Sequence, residues 1–346
     1  MLVYKYRGGS FTRDLESITE DYFWAPTRQH LNDPCEGLCS KALLAQQLDF
    51  INSVLAPKQH TEKSFKALQA ALYEFFGFTD KAGIYSLSKS PFEELLWAHY
   101  SCSHTGFCIE YDLEKLLEFE AQDFIKIDVL YRETPPKLSI DDLTTREASS
   151  AIQKILGTKP QSWNYEKEIR IITPAIGRHD YDFRALKTIF FGLRMPEDEK
   201  QQIMKQLQGR GISYKQIILS KGTYKLSAID IQDPYQNTKR YKYSIAPIAT
   251  HAIMHEHTKE CFKEYSKYLY KAAEIVRREP YCQAIELVQF SHEKSTPENP
   301  VVLVQYKRKE YRWVNHYLSL PEIDELYLKV DDITTPLNSP YNHQCK

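Results

Sequence analysis

Residues 162–173, SWNYEKEIRIIT, decide how the N-terminal part of the chain is read. The stretch alternates as a β-strand does. Trp163, Tyr165, Lys167, Ile169 and Ile171 fall on one side, and Asn164, Glu166, Glu168, Arg170 and Ile172 on the other. On that reading Glu166, Glu168 and Arg170 share a face, with neighbours about 6–7 Å apart at about 3.3 Å per residue. The opposite side is mostly apolar and belongs on a core. Two carboxylates and a guanidinium on one sheet face make either a solvated charge ladder or the floor of a site.

Strand-like runs also occur at residues 2–7, 21–25, 83–88, 106–111 and 124–131, and again at 188–192, 214–220 and 224–231. Amphipathic patterns at 40–50, 62–76, 113–120, 144–156 and 196–208 predict helices between them. Ser90, Pro91 and Glu93 read as the capped first turn of a helix that runs through Tyr100. Residues 232–247 carry Pro234, Asn237 and a Lys/Arg/Tyr run and read as a linker. Beyond it, Phe262, Tyr265, Leu269, Ala272 and Val276 form one stripe of a long helical pattern over 248–278. Strands are expected at 284–290, 301–306 and 312–320. The sum is an α+β fold with a large domain at 1–240 and a smaller α+β domain at 241–346.

At 346 residues the chain exceeds one ordinary core, which agrees with two domains. The net charge of −1 supplies no bulk field for nucleic acid, although a local basic groove stays open. Aromatics are 13% of residues, led by 24 Tyr, which favours sheet and sites that grip flat ligands. No apolar run approaches the ~20 residues that span a bilayer. The first residues, MLVYKYRGGSFTRD, hold no apolar signal core. The seven cysteines are odd in number and contain no C-x-x-C pair. A cytoplasmic protein without membrane contact is expected.

Three short elements suggest chemistry. Arg7 ends the first strand, Ser86 and Ser88 frame SLS on another, and Glu166 and Glu168 frame EKE. Together they resemble the R-S-E signature of ADP-ribosyltransferases, with Leu87 where that pattern usually has Thr. The resemblance implies a split-sheet, ADP-ribosyltransferase-like N-terminal domain, in which two small sheets surround a crevice for NAD as substrate. It also implies roles. Glu168 stabilises the oxocarbenium-like state as the nicotinamide–ribose bond breaks, and Glu166 positions or deprotonates the acceptor. Ser86 orients the catalytic glutamate, and Arg7 forks the diphosphate or ribose. The acceptor would be a protein or a nucleic acid. Arg170 either orients Glu168 or makes the face merely structural.

A second resemblance covers about 1–230. YKYR at 4–7, LNDPCE at 31–36, LLWAHYSCSHTGFCIEYD at 95–112 and WNYEKEIR at 163–170 are similar, in order, to a bacterial family of largely uncharacterised proteins. It places Asn32, Asp33, Glu36, Trp97, Tyr100, His104, Gly106, Glu166, Glu168 and Arg170 in one motif set and implies a defence or toxin-type effector. Trp97 and Tyr100 share a helix face with His104 just past its end. They either stack a nicotinamide or adenine ring, as cofactor-binding residues, or form core. Asn32 and Asp33 suit the turn before Pro34, and Asp33 and Glu36 stay open between turn and site.

Two other functions use the same residues. Asp33, Glu36, Glu166 and Glu168 would bind Mg²⁺ in a nuclease, with Lys167 nearby, though Lys167 alternates to the other side. A non-enzymatic sensor would hold a nucleotide or peptide in the aromatic crevice. In the smaller domain, His251, His255, His257 and Cys261 form i, i+4 pairs that a regular helix keeps on different faces, so surface histidines fit better than a metal site. Lys307, Arg308, Lys309, Arg312 and Trp313 read as a hairpin tip, with nucleic-acid stacking as the alternative. This domain would also supply a partner or dimer contact.

Overall fold

The computed structural model describes residues 1–55, 59–119, 124–144, 149–254, 259–332 and 344–345. They fall into two compact units, residues 1–203 with 212–232 and residues 204–211 with 233–346. The class is mixed α+β.

The first unit holds twelve strands among its described residues: β1 (Leu2–Arg7), β2 (Tyr22–Ala25), β3 (Gly83–Ser88), β4 (Phe107–Asp112), β5 (Ile125–Asp128), β6 (Leu130–Arg132), β7 (Thr158–Pro160), β8 (Glu168–Thr173), β9 (Gly177–Asp180), β10 (Leu186–Phe191), β11 (Ser213–Leu219) and β12 (Leu226–Ile231). Eight of them form one sheet in the order β12-β11-β10-β4-β1-β3-β8-β5. Only β10 and β11 run parallel within it. Where the transferase resemblance implies two small sheets, the described residues form this continuous sheet and two-stranded ribbons β2-β9 and β6-β7.

Register assigns the faces. Tyr4 of β1 lies opposite Ser88 of β3, which lies opposite Glu168 of β8, while Ser86 lies opposite Arg170. Partners across a ladder share a face and neighbours alternate, so Tyr4, Tyr6, Ser86, Ser88, Glu168 and Arg170 all point to one side. On that side Tyr6, Trp97, Cys108 and Phe190 make one apolar cluster, and Ile84, Ile127, Ile155 and Ile172 belong to another. Arg7 and Tyr85 point to the other side, where Phe23 stacks on Tyr85 at 4.4 Å between ring centroids.

Helices α1 (Phe11–Thr19), α2 (Ala42–Leu55), α3 (Gln59–Lys81) and α4 (Glu94–Tyr100) lie in the first part of the chain. The last starts three residues later than Pro91 predicts. Ser90 Oγ accepts from the Phe92 amide at 3.2 Å, and Pro91 O accepts from Trp97 Nε1 at 2.7 Å, so this stretch is a turn before the helix. Beyond α4, Cys102, Ser103 and His104 all have positive φ. Gly106 ends this turn where the backbone of β1 passes closest, and a Cβ there would overlap the Arg7 carbonyl oxygen. Gly106→Ala should therefore cost about 3 kcal/mol, read by chemical denaturation. A change within a few tenths of a kcal/mol would show that the two segments are not tightly apposed.

The second unit is a meander of β13 (Ala284–Phe290), β14 (Val301–Lys309) and β15 (Arg312–Ser319), with β16 (Gln344–Cys345) beside β15. Leu269, Ala272 and Val276 of helix Lys267–Val276 pack on its buried valines and isoleucines. The basic hairpin forms, with Tyr311 at φ 57° in its tip. The long helix expected over 248–278 does not form as such. Ile248 and Ile253 make bridges to β13, a 3-10 turn covers Glu260–Tyr265, and His255 and His257 lie outside the described residues. A helix at Leu320–Tyr327 went unpredicted, although Ser319 and Glu322 form a complete capping box with Pro321 behind it.

Candidate functional site

The alternation assumed for 162–173 holds only from Glu168 onward. Residues Gln161–Glu166 form a 3-10 helix, and Lys167 takes a left-handed conformation at φ 44° before β8 begins. Glu166 therefore reaches the site from a turn and not from strand alternation. Ser88 Oγ donates to Glu166 O at 2.8 Å, and the Lys89 amide donates to Lys167 O at 3.1 Å, which pins the turn to β3.

The two glutamates meet at Lys159, the middle residue of β7. Its Nζ lies 2.6 Å from Glu166 Oε2, 2.8 Å from Glu168 Oε2 and 3.3 Å from Glu36 Oε1. Arg170, fully buried, completes the cluster. Its Nε donates to Glu168 Oε1 at 2.7 Å, and its two terminal nitrogens fork Glu36 at 2.6 and 2.9 Å. It also donates to Leu156 O at 2.6 Å. Tyr100 OH donates to Glu166 Oε1 at 2.7 Å, and Asn32 hydrogen-bonds the same hydroxyl. Tyr131 OH accepts from the Glu168 amide at 2.8 Å.

Three separate motifs thus converge: Asn32 and Glu36 from the N-D-P turn, Tyr100 from the end of α4, and Glu166, Glu168 and Arg170 from the opening stretch. Asp33 is a turn residue, its Oδ1 accepting from the Cys35 amide at 2.9 Å. Lys159 and Tyr131 were missed. Three carboxylates drawn to one buried point with a single arginine require a further cation, and Lys159 just before the Pro160 turn was the available signal.

The remaining predicted residues make other contacts. Arg7 is on the other face of the sheet, 3.7 Å from Asp14 and 3.5 Å from Tyr85 OH. Ser86 shares the site's face beside Arg170, and its carbonyl accepts from Lys5 Nζ at 2.8 Å. Trp97 is fully buried with Tyr6 edge-on at 5.2 Å, and His104 stacks on its far end at 6.2 Å. Burial, followed by Arg194, lowers the pKa of that histidine.

The electrostatics separate the two carboxyls. Burial raises Glu166, and the neighbouring Glu168 adds to this; Lys159 and Tyr100 pull against it without reversing the direction. Burial also opposes ionisation of Glu168, but Arg170 and Lys159 outweigh it and hold this carboxyl well below the usual range. At the point where a nuclease would place its metal ion, these carboxylates surround the Lys159 ammonium. Among the described residues no His, Cys, Asp and Glu are grouped to hold a metal. Nor is any described helix long and apolar enough to cross a membrane.

Geometry of this kind defines a buried carboxylate–cation site on one face of an α+β sheet. A family model, Protein of unknown function (DUF2971), covers residues 96–171, the span that holds Tyr100, Tyr131, Lys159, Glu166, Glu168 and Arg170. No curated protein and no solved structure matches the chain.

Proposed function

We propose that the chain cleaves the nicotinamide–ribose bond of NAD and passes ADP-ribose to a protein or nucleic-acid acceptor, or to water. The observation that carries this reading is the opposite displacement of two carboxyls that share Lys159. Environments that push two such groups apart assign one carboxylate to charge stabilisation and the other, the more basic, to proton transfer. Glu168 is the ionised partner and stabilises the oxocarbenium-like ribose as the C–N electron pair leaves with nicotinamide. Glu166 takes the proton of the incoming hydroxyl. Tyr100, Tyr131 and Trp163, all half-buried near the cluster, supply flat surfaces for the rings. Arg7 has no part in it.

The test is incubation of the pure protein with labelled NAD, cell lysate and nucleic acid. Label transfer or nicotinamide release supports the reading, and neither, with the protein folded, overturns it. The rate should also rise with pH through a value above the ordinary glutamate range, because the base must be ionised and burial raises its pKa. A rate that falls over that window would reverse the role of Glu166.

One observation favours a second reading, a sensor that binds a nucleotide without turnover. Every carboxylate oxygen of Glu36, Glu166 and Glu168 has a cation or hydroxyl partner. Tight NAD binding with no released nicotinamide would select it.

A further inference from the structure

Lys5 and Arg7 of β1 stand on the face of the sheet away from Glu168 and Arg170, two residues apart and beside one ring. Lys5 Nζ is 4.8 Å and the Arg7 guanidinium 5.9 Å from the Tyr85 ring centroid. β1 meets β3 in register only at Tyr4 and Ser88. Beyond that pair Lys5 Nζ donates to the Ser86 carbonyl at 2.8 Å. That partner is neutral, and among the described residues no carboxylate is in ion-pair contact with this amine.

Arg7 is as poorly matched. Its side chain is only 17% exposed. A guanidinium has five N–H donors, yet among the described residues this one makes a single long hydrogen bond, to Tyr85 OH at 3.5 Å. Its Nε is closed off from solvent and has no hydrogen-bond partner. Asp14 of α1 stands 3.7 Å from Arg7 Nη1, too far to accept a hydrogen bond, and the exposed Arg13 lies at the same distance from the same oxygen. Burial, followed by repulsion from Arg7, lowers the Lys5 amine to about 7, and Glu168, Asp14 and Glu166 pull against this without reversing it. Near neutral pH a large share of the amine is uncharged, the form in which a lysine is a nucleophile.

We propose that Lys5 is a carbamylation site: its amine adds carbon dioxide, and Arg7 holds the carbamate so formed. The nitrogen lone pair makes the N–C bond, one C=O π pair moves onto oxygen, and the displaced N–H proton passes to water. The product is a planar anion, which suits the unused donors of a guanidinium. Lys5 then changes from a cation that repels Arg7 to an anion that pairs with it. Carbon dioxide is small and uncharged, so it can reach a half-buried amine without a wide opening. This does not rest on the glutamate site, which lies across the sheet.

The test is incubation of the full chain with carbon-13-labelled bicarbonate near neutral pH, trapping of carbamates with triethyloxonium, and peptide mass spectrometry. The labelled ethyl carbamate should be found on Lys5 well above exposed lysines such as Lys221. Lys5→Arg should remove the carbamate carbon signal from the NMR spectrum. Arg7→Gln should lower the trapped fraction by about tenfold or more, because the amine regains its proton and the carbamate loses its partner. Circular dichroism and melting temperature show whether each variant is folded, and the site found in the unmodified chain decides the matter even where one is not. No adduct on Lys5, an adduct no more abundant there than on Lys221, or a folded Arg7→Gln protein that traps as much as the parent would each overturn the proposal. Binding of acetate or inorganic phosphate at Lys5 with no covalent adduct would overturn it in favour of a simple anion site.

Discussion

Arg170→Met is expected to lose about 3–5 kcal/mol of folding stability at neutral pH, among the largest effects of a single substitution in this chain. The guanidinium is fully buried and forks Glu36 while holding Glu168. Removing it leaves these buried carboxylates to Lys159 alone, and a buried charge that loses its partner is costly. The direction with pH follows from linkage. The Glu168 carboxyl is held below its unfolded value, so its contribution is present above the ordinary carboxylate range and lost as pH falls through the folded value. The variant lacks most of that contribution, so its deficit should narrow toward acid. Urea denaturation of both proteins at neutral pH and near pH 4 checks this. A deficit under about 1 kcal/mol, or one that widens in acid, would mean that the cluster is more solvated than its geometry indicates.

Glu166→Gln is expected to lower the transfer rate by about 10²- to 10⁴-fold while leaving the fold intact. The amide keeps the shape of the side chain and a hydrogen bond to Tyr100, and Lys159 retains Glu168 and Glu36. What disappears is the carboxyl raised above its ordinary value, whereas Glu168 is held below its own. Nicotinamide release and label transfer, measured beside a thermal melt, separate this from simple destabilisation. A folded Gln variant with full activity would remove Glu166 from the chemistry.

Much of this cluster could be read from the sequence, but not its geometry. Alternation correctly put Glu168 and Arg170 on one face, because β8 is regular from Glu168 to Thr173. It failed at Glu166, because Lys167 turns left-handed without the glycine that normally announces such a turn. Motif membership singled out Glu36 and Tyr100, yet their contacts depend on tertiary packing that no local pattern encodes. Arg7 shows the same limit. Alternation along β1 is plain, but which residues of β1 share a face with β8 depends on registers across two ladders. In the second unit, an apolar stripe over 248–278 suggested one helix, while part of that segment pairs with β13 instead. The capping box at Ser319 and Glu322 was a local signal that outweighed the strand-like run before it.

Glu166 and Glu168 share Lys159 and are displaced to opposite sides of the ordinary glutamate value. Carbon NMR titration of the glutamate carboxyls, assigned with Glu166→Gln, measures this directly. One carboxyl should titrate above the ordinary glutamate range and vanish in the variant, and a second, Glu168, should stay ionised to the lowest pH the fold survives. Two carboxyls titrating together in the ordinary range would contradict it.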